Sequence, residues 1–94
     1  MAEIDVKTET DSDRGWTFDV ELRDNGQTFT YEVSLSWSDY DLWSHGQFAP
    51  ERVVQAAFRF LLEREPASAI LSKFDCGVIR RYFPDADREL PKHM

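Results

Sequence analysis

Several things that would make this chain easy to assign are missing or scarce. It has one cysteine, Cys76, so no intrachain disulfide and no cysteine-based zinc site can form. Two histidines, His45 and His93, are too few for the usual histidine-rich metal or acid–base constellations. Only four glycines occur among 94 residues, and none forms a phosphate-cradling loop. There is no Gly-x-Ser-x-Gly elbow and no His-Glu-x-x-His pair. No apolar run approaches the roughly 18 residues of a membrane span, and the start, Met1 to Val6, is polar and acidic, unlike a secretory leader. These absences point to a soluble, cytoplasmic protein that is not an enzyme, binds no cofactor or metal, and has no membrane partner.

Positive charge is also scarce where it would matter. Residues 1–47 hold 11 acids and 3 bases, whereas residues 48–94 hold 7 acids and 8 bases, so the net charge of −7 lies in the first half. Nucleic-acid binding by counterion release needs clustered Lys and Arg, and the first half offers the opposite. An acidic, solvated surface is the expectation there.

What is present is an alternating pattern. Apolar residues fall on every second position from Trp16 through Phe18 and Val20 to Leu22, and again from Phe29 through Tyr31, Val33 and Leu35 to Trp37. Asn25-Gly26 between the runs supplies the positive φ angles of a two-residue type I′ turn. That turn sets Leu22 opposite Phe29, Val20 opposite Tyr31, Phe18 opposite Val33 and Trp16 opposite Leu35, so turn chemistry and apolar pattern agree. A weaker alternation over Ile4, Val6, Thr8 and Thr10 adds a third strand, with a turn over residues 11–15. Placing Lys7 opposite Asp19, Val6 opposite Val20 and Thr8 opposite Phe18 would relieve the like-charge pair Asp19–Glu32 that the hairpin creates.

The resulting sheet has a dry face and a wet one. Its cover is a helix started by Pro50, with Val53, Val54, Ala57, Phe58, Leu61 and Leu62 as its apolar stripe, ending near Arg64 or Glu65 before Pro66. Ala49 is a poor N-cap. A short helix over Ser68–Phe74, with Ile70, Leu71 and Phe74 inward, follows. A third, capped by Asp75, runs from Cys76 to about Tyr82, with Val78, Ile79, Tyr82 and Phe83 inward, until Pro84. The expected fold is α+β, a three-stranded antiparallel β-meander covered on one face by a main amphipathic helix and two short C-terminal helices. Residues 1–84 form one domain and residues 85–94, poor in apolar side chains, a flexible tail.

The stretch from Trp37 to Phe48 is the main candidate site. It joins the last strand to the main helix and carries Trp37, Tyr40, Trp43, His45 and Phe48. Exposed, these side chains make a recognition loop for another protein or a second copy, since Trp and Tyr give large contact area at low entropic cost. The alternative is a helical turn over Asp39–Trp43, capped by Ser38 and stopped by Gly46, in which Leu42, Trp43 and Phe48 plug the open end of the core. The two readings coexist if Trp37 or Tyr40 stays exposed. Asp39, Asp41 and His45 match no metal motif. Cys76 reads as a small residue packed at a helix junction rather than a reactive thiol. Arg52, Arg59, Arg80 and Arg81 offer a second class of function, a nucleic-acid- or nucleotide-binding helical face, against pairing with nearby Glu51, Glu63 and Glu65.

Leu61-Leu62-Glu63-Arg64-Glu65-Pro66, followed by Ile70-Leu71, Phe74-Asp75 and Arg81-Tyr82-Phe83-Pro84, resembles a family of short bacterial proteins of about this length. That resemblance carries no activity, cofactor or catalytic residue. At the level of fold, strands followed by a Pro-started amphipathic helix are similar to small antitoxin-type domains that pair with an RNA-cleaving toxin.

Overall fold

The alternation of Trp16–Leu22 and Phe29–Leu35 becomes two ten-residue strands, β2 (Gly15–Asp24) and β3 (Gln27–Ser36), in the computed structural model, which describes residues 2–94. Asn25 and Gly26 take φ values of 52° and 78°, and all four apolar pairs fall in the register the turn dictates. Gly15 is required by a close approach. A Cβ there would collide with the Leu35 carbonyl oxygen, so β2 and β3 can meet at this end only without a side chain.

The first strand, β1 (Glu3–Ser12), pairs antiparallel with β2 and completes the expected meander, but its register departs from the expected one. Val6 does face Val20; a bulge then places Thr8, not Lys7, opposite Asp19, and Glu9 opposite Phe18. Lys7 leaves the ladder and pairs with Asp5 at 2.8 Å, which raises the Lys7 pKa and lowers that of Asp5. The Asp19–Glu32 pair is relieved differently. The Thr8 hydroxyl donates to Asp19 at 2.8 Å, and Lys73 pairs with Glu32 at 3.4 Å.

Lys73 reaches Glu32 because residues 73–75 are a strand. The helix expected over Ser68–Phe74 is a 3-10 turn at Ala67–Ala69 followed by β4 (Lys73–Asp75), which runs parallel to β3 and makes the sheet four-stranded, in the order β1-β2-β3-β4. An open edge on β3 would leave backbone groups unpaired; here the Glu32 N–H donates to the Ser72 carbonyl at 2.8 Å. In this extended segment Ile70 and Leu71 diverge: Ile70 is buried and Leu71 is exposed.

Helix α1 (Trp37–Ser44) follows β3 directly, and α2 (Pro50–Leu62) covers the dry face. Its predicted stripe is buried except for Leu62, which is half-buried, and Tyr31 and Phe58 pack with centroids 5.0 Å apart. Ala49 makes no side-chain cap bond. The helix ends two to three residues earlier than expected, where the Arg64 guanidinium stacks 3.7 Å from the Phe60 ring and binds Asp85 at 2.9 Å. After β4, Asp75 caps the chain as predicted, accepting from the Gly77 N–H at 2.9 Å. Residues 76–78 form a 3-10 turn before α3 (Ile79–Tyr82). Ile79 is buried, but Tyr82 points outward and is 67% exposed.

The flexible tail expected over 85–94 is folded instead. Helix α4 (Ala86–Glu89) and a 3-10 turn at Leu90–His93 bring Ala86 and Leu90 into the core, completely buried. Phe60 and Ala56, outside the predicted stripe, are buried too, and Phe60 meets Phe83 and His93 with centroids 5.8 and 6.5 Å apart. No described helix is long and apolar enough to cross a membrane.

Because Leu90 fills core space, Leu90→Ala should destabilise the chain by about 2–4 kcal/mol. Urea denaturation measures this; a change below about 0.5 kcal/mol, normal for an exposed site, would mean that the segment does not hold the core.

Candidate functional site

The aromatic segment after β3 is a helix with a folded link rather than an open loop. Ser36, not Ser38, caps α1, accepting the Asp39 N–H at 3.1 Å. At the other end His45 adopts the left-handed conformation, with φ 53°, and Gly46 follows at φ 72°. The link is tied back by side chains: the Tyr40 hydroxyl donates to the Phe48 carbonyl, and the Ser44 hydroxyl accepts from the Gly46 N–H at 3.0 Å. His45 therefore sits exposed at a helix end, with a backbone task and no side-chain partner among the described residues.

The three aromatic candidates on α1 have separate fates. Trp43 is 1% exposed and belongs to the core, Tyr40 is half-buried, and Trp37 is 57% exposed. Trp37 stacks against Trp16 with centroids 4.4 Å apart, and Tyr40 meets Trp16 edge-on at 5.1 Å. Trp16 is itself nearly buried. The result is an aromatic cluster with its base in the core and one large face open to solvent. Leu42, on the same helix, is 47% exposed.

Around Trp43 lies a polar knot. Its indole N–H donates to Asp87 at 2.9 Å, and the Arg80 guanidinium lies 5.3 Å from its ring centroid. Arg80 also bonds Asp39 at 2.7 Å and Asp87 at 3.2 Å, which outweighs its partial burial and raises its pKa. Burial alone would raise the Asp87 carboxyl, but the hydrogen bonds from Trp43 and Arg80 and the guanidinium charge hold it below the ordinary value. Asp39, Arg80 and Asp87 come from three helices, so the knot fixes α1 against α3 and α4.

These contacts settle where the other candidates point. The Arg80 charge is taken up by two aspartates. Arg52 lies 5.3 Å from the Phe48 ring centroid, Arg59 reaches the His93 carbonyl at 3.5 Å, and Arg81 is exposed. Each of Arg52, Arg59 and Arg80 thus engages a different part of the chain. Cys76 is completely buried. Burial first, then the Asp75 and Asp39 carboxylates, push its thiol far above the ordinary value, the reverse of what a nucleophile needs. Among the described residues no three His, Cys, Asp or Glu side chains are grouped to hold a metal ion.

Asp87 and Trp16 were not among the sequence-level candidates. A buried tryptophan needs an acceptor for its N–H, a requirement legible for Trp43, but its fulfilment 44 residues away is not. Trp16 reads as one more inward hairpin residue, and only the position of α1 makes it the base of a surface cluster.

The lowered Asp87 pKa has a measurable consequence. The unfolded chain binds the proton more tightly, so this contribution to stability is present above the ordinary aspartate pKa of about 3.9 and is lost as pH falls through the lower folded value. Asp87→Asn should therefore destabilise the chain near pH 7 and reduce the fall in stability on acidification below about pH 4. Denaturation midpoints from pH 7 to 2 test this; identical slopes in both proteins would contradict it.

Comparison of the chain with protein-family models, with curated proteins and with solved structures finds no match.

Proposed function

We propose that this chain is a non-enzymatic protein-interaction module, working in the cytoplasm, whose contact surface centres on Trp37 with Tyr40 beside it. The observation that carries this reading is the exposure of Trp37 on a firm base. More than half of its surface meets solvent, while Trp16, itself braced by Tyr40, holds it from beneath. An aromatic side chain already fixed by its neighbours loses little conformational freedom on binding, which makes it an effective anchor. Catalysis has no comparable support, because the one thiol is sealed in the core. A nucleic-acid face has less support too, because Arg80 is committed to Asp39 and Asp87.

Affinity capture from native lysate with the intact chain and with Trp37→Ser tests the proposal. The substitution removes one aromatic contact and should cost about 1–2 kcal/mol of stability, leaving the fold intact. Proteins retained by the intact chain should be lost from the variant. Recovery of the same proteins at the same level with both would overturn the reading.

A further inference from the structure

One strand out from Trp16, on which Trp37 rests, the sheet ends in a strand edge with an unusual charge arrangement. β1 is an outer strand, paired only with β2, and every residue from Lys7 to Ser12 is exposed. An outer strand turns alternate N–H and C=O groups to solvent, a template for a further strand. Proteins guard such edges with bulges and charges, and the bulge here lies at Lys7. Past it, five residues from Thr8 to Ser12 run on in regular register, about 14 Å of open edge.

The bulge also changes what that edge presents. Directly opposed residues share a sheet face, so Glu9, opposite Phe18, and Asp11, opposite Trp16, lie on the face that elsewhere carries the core. Asp11 is thereby placed next to Trp16, over which Trp37 stacks. Asp41, one helical turn beyond Trp37, is exposed as well. In the first half of the strand acids are ion-paired: Asp5 with Lys7, and Glu3 with Arg23. Among the described residues Glu9, Asp11 and Asp41 have no such partner.

We propose that the β1 edge from Thr8 to Ser12, together with Trp37, receives an extended, basic segment of a partner protein as an added strand. The inference rests on the reading of Trp37 as a contact surface and names the partner's chemistry. Main-chain pairing supplies affinity for an extended segment. Arginine or lysine at alternate positions meets Glu9 and Asp11, and a cation beyond them reaches the open ring of Trp37. A second copy fits poorly. Two β1 edges paired antiparallel over Thr8–Ser12 set the Glu9 of each copy against the Asp11 of the other, acid on acid.

The test is an NMR titration of the full ¹⁵N-labelled chain with a peptide of about seven residues alternating arginine with valine or threonine, a typical strand length. Amides from Thr8 to Ser12 and the Trp37 indole N–H should shift together. Binding should weaken about tenfold in the folded double variant Glu9→Lys/Asp11→Lys, and also when salt is raised from about 0.02 M to about 0.3 M. The same peptide N-methylated at alternate backbone nitrogens should not bind. Shifts at Trp37 with the β1 amides silent would overturn strand addition while leaving the Trp37 surface standing. No shift anywhere, equal shifts with an acidic peptide, or β1 shifts caused by raising the protein concentration alone would also overturn the proposal. The capture comparison with Trp37→Ser judges the Trp37 surface independently of these outcomes.

Discussion

Covering the dry face of a sheet whose strands are longer than the helix laid across it shapes most of this molecule. Ten-residue strands run about 33 Å, whereas a thirteen-residue helix runs about 20 Å. Burying an apolar face is the main favourable term in folding, so the remainder cannot simply be left to water. α1 takes the Trp16 end of the sheet, arriving there because β3 runs straight into it. The C-terminal segment takes the far side of α2, where Phe60 meets Phe83 and His93. α2 is thus enclosed from two directions, which is why Ala56 and Phe60 are buried along with the stripe that faces the sheet. The cover is least complete at the opposite end, where Ile4, Val6 and Phe29 are only partly buried; at the Trp16 corner, Trp37 is the outermost ring.

How well the sequence predicts each part follows from how many residues carry the signal. The hairpin register is legible because two independent constraints, the Asn25-Gly26 turn and eight alternating apolar residues, give one answer. α2 is legible because six stripe positions repeat over three turns. β4 is not, since three residues cannot display a period, and its stability comes from the edge of β3 rather than from its own side chains. The bulge at Lys7 leaves no compositional mark, because from Lys7 to Ser12 both faces of the strand carry only polar residues. The C-terminal segment is misread for a related reason: its contribution rests on Ala86 and Leu90, two apolar residues four apart among charged neighbours. Such a pair marks a helix turn only when a pocket exists to receive it, and the pocket is made by residues far away in sequence.

The polar knot at Trp43 illustrates a constraint of another kind. A tryptophan brought into the core must find an acceptor for its indole N–H, and an aspartate brought close enough to serve must itself be compensated. Asp87 accepts from Trp43, Arg80 compensates Asp87, and Asp39, buried on α1, is compensated by the same guanidinium. One cation thus serves two carboxylates and an aromatic ring across three helices. Removing Asp87 leaves the Trp43 indole N–H without its acceptor, and removing Arg80 leaves the Asp39 carboxylate without its cation; either costs more than the net gain of forming the bond. The network therefore constrains the angle of α1, and with it the direction in which the other aromatic side chains of that helix point.

That direction follows from helix geometry. Trp37, Tyr40 and Trp43 are spaced by three, and with 3.6 residues per turn each step of three falls about 60° short of a full rotation. The three rings accordingly fan over about 120° of the helix surface rather than lining one face. If Trp43 is turned into the core and held there by Asp87, Tyr40 must lie at the boundary and Trp37 outside it, which is the gradient of burial observed. Spacings that alternate three and four would have kept all of them on one face, and a loop would have left their directions unfixed. The same eight residues thus serve as plug and as display. The burial of Trp43 fixes the exposure of Trp37, and Asp11 on β1 lies opposite Trp16, the residue on which that outer ring rests.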